Sequence, residues 1–437
     1  MGKRILIISY FFAPQNAMGA VRPTKLAKYL SRMGHEVTVL CGPGMNDRRD
    51  PTLARDLAAL REVHVIREWN PLRDRRARPA TTPAATRQAE AQPPAASPRG
   101  GALHAARDAA YRWLRWQADR SFRRRAVAAL DGLTGTYDVV FSTYAPWSVH
   151  EIAREAKRRG LARRWIADFR DEVGTAFAWQ KGKKARYLRM LRREADVLCA
   201  ASQGFLEMMG FEDVGRVLSN GFDREDLPPA EAAPARTGRL RVVYCGMLSM
   251  GRKGVGDRDL TPMFRALGAL IKRGQLARSQ VALVYAGGES ALMQRQAAAC
   301  GMGDLVEDHG LVSREESIAL QRGADVLLMA SWHMAAQRGI LTGKLFEYMM
   351  MEKPIVCCMS GDLPGSGVKR VLEETGMGLC VEQAAGAADE SALDAYMTDL
   401  AYRWKQGKPL LESKHPDEVE TYAYPALAAR LAGWMER

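Results

Sequence analysis

The stretch GILTGKLFEYMMMEKPIV, Gly339 to Val356, combines a short helical pattern with the start of a strand. Thr342 is the predicted N-cap of the helix, and the apolar residues after it are spaced to cover its faces. Pro354 precludes continuation of the helix, and the β-branched pair that follows it begins a strand. A helix that leads directly into a buried strand is one unit of an alternating α/β fold.

The same alternation extends in both directions from this stretch and forms two series of strands. The first series includes RILIISY, HEVTVLC, YDVVFST, RWIADFRD and ADVLCAAS, and the second includes LRVVYCG, VALVYAG, ADVLLMAS, PIVCCMS and GLCVE. The βαβ order predicts two doubly wound parallel sheets of the Rossmann type. A chain of 437 residues, 47% of them hydrophobic, is long enough for two such cores.

The domain limits follow from composition. A Pro/Ala-rich linker at residues 227–239 separates a first domain, residues 1–226, from a second, residues 240–415. Residues 416–437 are predicted to form a helix that packs back on the first domain.

An insertion at about residues 76–126 interrupts the first series. Residues 76–103 are rich in Ala, Pro, Thr and Arg, which predicts a disordered or loosely held segment. The helical pattern after them carries Trp113 and Trp116 among seven arginines, and residues 61–126 have a net charge of +9. Residues 105–126 are therefore predicted either to contact an anionic membrane or to pack their aromatic side chains on the sheet beneath a solvated basic face.

Charge and cysteine content limit the partners. The net charge is +14, and residues 1–225 carry +16 of it, while the rest carry −2. Nucleic acid, anionic lipid and a phosphorylated acceptor would each suit this surface, and a merely solvated basic surface is the alternative. With the binding residues described below, we do not expect nucleic acid as a partner. The seven cysteines form no Cys-x-x-Cys pair and no cluster with histidine at zinc spacing, so neither a metal nor a disulfide framework is expected.

The N-terminal segment MGKRILIISYFFAPQ resembles a signal peptide only superficially. Its apolar run is short and continues into Pro14 without a small-x-small cleavage site, and the sequence has no apolar stretch that could span a bilayer. We expect a cytoplasmic protein, either free or peripheral on the inner face of the plasma membrane.

Candidate binding residues of the first domain follow its first strand. Gly19 precedes a helix, so its bare backbone can approach an anion, and Arg22 in the first turn can add positive charge. The segment lacks a Gly-x-Gly-x-x-Gly pattern, which argues against a hydride-transferring dehydrogenase.

Candidate binding residues of the second domain follow two of its strands. Gly246 ends one strand and is followed by the cations Arg252 and Lys253. Thr342 and Gly343 begin the helix of the opening stretch, whose backbone N–H groups together with Lys344 favour a diphosphate. Glu347, one turn further, can accept hydrogen bonds from the two hydroxyls of a ribose. The alternative is a solvated ion pair between Lys344 and Glu347 at i,i+3 spacing.

A second pair of polar candidates lies in the segment DFRD. Arg170 and Asp171 follow a strand of the first domain, and Asp171 can orient or deprotonate an acceptor hydroxyl. The alternative is that Asp171 caps the next helix. His150 is predicted to be a packing residue and not a base.

Taken together, these motifs resemble the GT-B glycosyltransferases, and within them glycosyltransferase family 4 of bacterial O-antigen, capsule and exopolysaccharide synthesis. The resemblance rests on the order of YFFAPQNAMGAVRPTKLAKYL, WIADFRDEVG, RVLSNGFD, VVYCGMLS, HGLVSREESIALQRGADVLLMAS and TGKLFEYMMMEKPIV. It implies that Glu347 is the second glutamate of the family's E-x7-E motif, while Gly339 replaces the first. It also implies that Lys344 with Arg252 or Lys253 holds the donor diphosphate opposite Gly19, without a metal or other cofactor.

The resemblance further implies a retaining transferase that moves a sugar from a UDP- or GDP-linked donor to a polyprenyl-diphosphate-linked or polysaccharide acceptor. The second domain would bind the donor and the first the acceptor, across a cleft between the two sheets. The alternatives are a nucleotide-sugar epimerase on the same fold and a non-catalytic subunit of a polysaccharide assembly complex.

Overall fold

A computed structural model describes residues 2–44, 49–70, 102–174, 180–228, 238–248, 258–411 and 414–436. The chain divides into two compact units. Unit 1 contains the described residues up to Gly221 together with those from Tyr424 onward, and unit 2 contains those from Phe222 to Ala423.

Unit 1 is built on a seven-stranded sheet whose paired strands are all parallel. The strand order is β3-β2-β1-β4-β5-β6-β7, so the order reverses between β1 and β4. This reversal is the switch point at which doubly wound sheets bind ligands, at the carboxyl ends of the strands. The strands are β1 (Arg4–Ser9), β2 (Glu36–Cys41), β3 (Glu62–Val65), β4 (Tyr137–Tyr144), β5 (Ala162–Phe169), β6 (Val197–Ala200) and β7 (Arg216–Val217).

The described helices of unit 1 flank this sheet. Numbered along the whole chain, they are α1 (Met18–Arg32), α2 (Pro51–Asp56), α3 (Ala102–Ala129), α4 (Ser148–Arg158), α5 (Lys181–Glu194), α6 (Gln203–Met209) and α14 (Tyr424–Trp434). The C-terminal helix α14 belongs to unit 1 because Leu427 and Leu431 are fully buried in the same cluster as Ile5 and Leu26.

Unit 2 is built on a six-stranded sheet in the order β10-β9-β8-β11-β12-β13, again with only parallel pairs. Its switch point lies between β8 and β11. The strands are β8 (Leu240–Cys245), β9 (Val281–Ala286), β10 (Val306–Asp308), β11 (Val326–Trp332), β12 (Ile355–Ser360) and β13 (Gly378–Glu382). The described helices are α7 (Thr261–Lys272), α8 (Ser290–Ala299), α9 (Arg314–Arg322), α10 (Gly343–Met349), α11 (Gly367–Thr375), α12 (Ala387–Lys405) and α13 (Pro416–Glu420).

The sheet of unit 2 has apolar clusters on both faces. Alternate residues of one strand point to opposite faces, so Val242 and Tyr244 join one cluster while Val243 and Cys245 join the other. The prediction of two doubly wound parallel sheets is therefore confirmed.

The boundary between the units lies a few residues before the predicted end of the first domain. Phe222 belongs to unit 2 because its N–H donates to the Tyr422 carbonyl (3.1 Å) and its ring is buried in a cluster with Phe346. Residues 229–237 of the predicted linker and residues 76–101 of the predicted insertion lie outside the described residues.

The long helix α3 has some residues buried against unit 1 and others exposed to solvent. Ala118, Phe122 and Ala126, which are spaced four apart on one face, are buried, and the Phe122 ring meets Tyr10 edge to face at 5.1 Å. Trp113 on the same helix remains 48% exposed. The predicted packing on unit 1 is therefore present for Phe122, while contact of residues 105–126 with a membrane stays a prediction.

Long helices such as α3 raise the question of a membrane span. Within the described ranges, no helix combines the length and the apolar character that crossing a membrane requires.

Candidate functional site

The ammonium of Lys344 lies at the switch point of unit 2. Lys344 is the second residue of α10, the helix between β11 and β12, and its Nζ lies 4.2 Å from the centre of the Tyr244 ring at the end of β8. Gly246, with φ of 127°, leaves room for it, because a Cβ there would lie only 2.8 Å from Nζ. Two neighbouring strands, β8 and β11, therefore bring this cation to the point predicted for a ligand.

The charge of Lys344 is poorly compensated inside the protein. Among the described residues no carboxylate forms a salt bridge with Nζ, and its close contact is the Tyr244 ring. Burial and, to a smaller extent, the nearby charge of Arg258 lower the pKa of Lys344 to about 7. A desolvated ammonium that lacks a counter-ion is costly, and an anion bound beside it would remove much of that cost.

Glu347, one turn further along α10, points its carboxylate toward α9. Its Oε1 accepts from Gln321 Nε2 at 2.8 Å, and its Oε2 accepts from Arg314 Nη1 at 3.3 Å. The side chain is 27% exposed, so the carboxylate remains accessible to a ligand. The predicted alternative of an ion pair between Lys344 and Glu347 is wrong, because the two side chains have different partners.

The start of α10 differs in detail from the prediction. Thr342 occupies the N-cap position, but its side chain accepts no hydrogen bond from the backbone, and its buried Oγ1 has no partner among the described residues. Gly343 is the first helical residue. The helix has only seven residues, and Lys344 in its first turn adds a side-chain cation to the N–H groups there.

Residues 247 and 248, directly after β8, take part in hydrogen bonds that the sequence did not reveal. Tyr244 O–H donates to the Met247 carbonyl at 2.7 Å, and Arg258 donates to the same carbonyl. The Leu248 N–H donates to the Glu289 carboxylate. The predicted cations Arg252 and Lys253 lie outside the described residues.

Arg170 and Gly19 meet at the carboxyl edge of the unit 1 sheet. A Cβ on Gly19 would lie 2.6 Å from Arg170 Nη1, so the guanidinium covers the bare face of this glycine. Arg170 Nε donates to the Tyr144 carbonyl at 2.9 Å, and its Cζ lies 5.3 Å from the centre of the Phe11 ring. The face of Gly19 predicted to meet a phosphate is thus covered by a cation.

Asp171 is an available carboxylate beside this cation. It is 54% exposed, and its Oδ2 lies 3.6 Å from Arg170 Nη1. It does not cap α5, whose N-cap is Gln180.

The Arg22 guanidinium is not available to a ligand at the carboxyl edge of the sheet. It is buried and forms a bidentate pair with Asp168, with bonds of 3.0 and 2.7 Å, and it also donates to the Leu218 and Ser219 carbonyls. Thr143 donates to the same carboxylate at 2.7 Å. The prediction that Arg22 adds charge for a ligand is wrong, because Asp168, distant in sequence, neutralises it.

His150 is a packing residue, as its buried position on α4 shows. Its Nδ1 shares a hydrogen bond of 2.7 Å with Ser142 Oγ, and its ring lies 4.7 Å from Phe169. Burial lowers the pKa of His150 to about 3, so the imidazole is neutral at physiological pH.

A cavity of about 740 Å³ in unit 2 lies away from Lys344. Its lining includes Asp325 and Pro354, which precede β11 and β12, so it is at the amino ends of these strands. The Asp325 carboxylate there accepts from the Arg241 N–H at 2.9 Å. This cavity therefore does not belong to the site at the carboxyl ends.

Solved structures with the same architecture cover nearly the whole chain. The N-terminal domain of trehalose-6-phosphate phosphatase from Candida albicans matches with a TM-score of 0.63 at 14% identity, over 100% of this chain and 97% of its own. A glycosyltransferase from Rickettsia africae matches with a TM-score of 0.56 at 14% identity, over 100% and 98%. The chain has the GT-B fold.

The GT-B fold is shared by proteins with other names. A Listeria monocytogenes protein assigned as a UDP-N-acetylglucosamine 2-epimerase matches with a TM-score of 0.52 at 11% identity, over 100% of this chain and 96% of its own. No protein-family model and no curated protein matches the chain. At these identities the GT-B likeness defines the architecture, and function has to be argued from the site.

Proposed function

We propose that this protein is a glycosyltransferase that takes a sugar from a nucleotide-linked donor, UDP- or GDP-linked, bound to unit 2. The observation that carries the proposal is the desolvated Lys344 ammonium over Tyr244, without a carboxylate partner among the described residues, at the switch point of the sheet. A diphosphate at this point would supply the missing negative charge. Glu347 on the same helix would accept from the ribose hydroxyls.

In the proposed reaction, the bond between the anomeric carbon and the phosphate oxygen breaks and its electron pair leaves with the diphosphate. Lys344 neutralises the charge that develops there, and Arg252 and Lys253 are further cations proposed from the sequence. An acceptor hydroxyl forms the new bond, and Asp171 is the proposed group that orients it or takes its proton. We propose that no metal ion is needed, so activity should persist in excess EDTA.

The acceptor side of the proposal rests on unit 1. We propose a polyprenyl-diphosphate-linked or polysaccharide acceptor, as in the synthesis of cell-surface polysaccharide. Helix α3 supports a location at the membrane, because it carries seven arginines and two aspartates and exposes Trp113. Anionic lipid attracts such a helix, and exposed indoles favour the headgroup region.

A thermal-shift panel of nucleotides and nucleotide sugars tests the donor site. A ligand present at 100 times its dissociation constant stabilises the folded state by about 2.7 kcal/mol, so a UDP- or GDP-linked sugar should raise the melting temperature by several degrees. Lys344→Met and Glu347→Ala should abolish or reduce this rise. Lys272→Met and Glu373→Ala, which change exposed residues of the same unit, should leave it intact.

Product analysis separates the transferase from the alternatives. Release of free UDP or GDP only when an acceptor is present indicates transfer, whereas conversion of the nucleotide sugar without acceptor indicates epimerisation. A cellular glycan that persists after Glu347→Ala would favour a non-catalytic subunit.

A further inference from the structure

Gln321 on α9 connects the interior of unit 2 to the carboxylate of Glu347. Its side chain is 1% exposed, and its Nε2 donates to Glu347 Oε1 at 2.8 Å and to Ser317 Oγ at 3.1 Å. The start of α9 is fixed by a capping box in which Ser313 and Glu316 exchange hydrogen bonds. A helix with a capped N-terminus thus places this amide against the carboxylate.

The buried amide of Gln321 lowers the stability of the folded protein in a way that an apolar side chain would not. Its Oε1 is buried and has no hydrogen-bond partner among the described residues. A buried carbonyl oxygen in that state costs about 1–3 kcal/mol. The Gln321 side chain is oriented with its NH₂ group toward the Glu347 carboxylate, which can only accept hydrogen bonds. The contribution of Gln321 to this contact is therefore its N–H donor.

Arg314 makes a different kind of contact with the same carboxylate. Its side chain is 46% exposed and its Nη1 lies 3.3 Å from Glu347 Oε2, longer than a strong charge-assisted hydrogen bond. Solvent-exposed ion pairs are weak and are easily replaced. Glu347 is therefore held firmly at Oε1 and loosely at Oε2, the oxygen that a ligand can take over.

We propose that Gln321 is a positioning residue for ribose recognition: it fixes Oε1 of Glu347 so that Oε2, released from Arg314, receives the ribose hydroxyls of the donor. This inference rests on the proposed function and adds to it a residue that never touches the ligand. Without Gln321, the carboxylate turns toward Arg314 and away from the ribose.

The test compares ligands that share a diphosphate and differ in the ribose. Calorimetry measures the dissociation constants of three ligands. The first is UDP or GDP, whichever the wild-type protein binds more tightly, and the others are its 2′-deoxy analogue and inorganic pyrophosphate. Gln321→Met keeps the length of the side chain and removes the donor. We expect it to weaken ribonucleotide binding about tenfold, to abolish discrimination against the deoxy analogue, and to change pyrophosphate binding less than twofold.

Two further variants show whether Gln321 acts through Glu347. Ser317→Ala removes the other hydrogen bond of the Gln321 amide and should leave all three constants within twofold. In a Glu347→Ala background, Gln321→Met should have no additional effect, because two residues that act through one contact are not additive.

The possible results are distinguishable. Equal loss of ribonucleotide and pyrophosphate binding in Gln321→Met, or no loss at all, would overturn the positioning role while the donor site stands. A wild-type protein that binds the ribonucleotide no better than pyrophosphate would overturn the proposed function and this inference together.

Discussion

Lys344 has a pKa near neutrality, so its charge depends on pH in the range where proteins are usually studied. Burial lowers this pKa to about 7, and a bound diphosphate would raise it again. Below pH 7 the ammonium is charged in both the free and the bound protein. Above pH 7 the free protein loses the proton, and binding must be accompanied by proton uptake.

We therefore predict that nucleoside diphosphate affinity falls by up to tenfold per pH unit as the pH rises from 7 to 9. Calorimetry in buffers with different ionisation enthalpies measures the uptake directly. Lys344→Met should bind more weakly, with no uptake from this residue. An identical uptake in both proteins would assign the proton to another group.

Asp168 and Asp171 are three residues apart and should respond very differently to neutralisation. Asp168→Asn leaves the buried Arg22 without its counter-charge, so we predict a loss of about 3–5 kcal/mol in the stability of unit 1. Asp171→Asn changes an exposed carboxylate and should alter stability by less than about 0.5 kcal/mol. Urea unfolding followed by circular dichroism measures both, and comparable losses would contradict the assignment of Asp168 as the internal partner.

The helices and strands that local sequence patterns determine could be predicted from the sequence. The strand after Pro354 and the helix that begins at Gly343 follow from local pattern, and both are present. Contacts between distant segments were not predictable: Arg22 meets Asp168 from 146 residues away, and Gln321 meets Glu347 from 26. Periodicity shows that such side chains lie near a strand end or on a helix face, but it cannot show which partner they face.

Helix α3 offers an element-scale test of membrane contact. Arg120 lies 4.7 Å from the centre of the Trp116 ring, and Arg124 is exposed on the same helix. We predict that wild-type protein floats with vesicles containing anionic lipid, since each arginine near such a surface contributes about 1 kcal/mol. Replacing both residues with Glu should weaken flotation strongly.

The matched control changes the same charge elsewhere in unit 1. Arg163 and Arg193 are 77% and 76% exposed and lie outside α3. Replacing both with Glu should leave most of the flotation. If both double variants lose binding equally, net charge and not α3 attracts the protein. If wild type shows no preference for anionic lipid, the membrane proposal fails.

For the whole molecule, the two units differ in how the chain builds them. The described residues of unit 2 all lie between Phe222 and Ala423, and its two apolar clusters contain only residues from this range. Unit 1 needs both ends of the chain, because α14 supplies Leu427 and Leu431 to its core. A truncation after Ala423 should therefore destabilise unit 1 and spare unit 2.

Lys344 and Glu347, the two described side chains proposed to bind the nucleotide, lie in unit 2, as does Gln321, which is proposed to position Glu347. We predict that a fragment of residues 222–423 folds and binds the nucleoside diphosphate within about threefold of the affinity of the full chain, whereas transfer to an acceptor needs unit 1 as well. Calorimetry on a fragment shown to be folded by circular dichroism gives the comparison. A folded fragment that binds pyrophosphate but not the nucleotide would contradict the proposal that Glu347 holds the ribose.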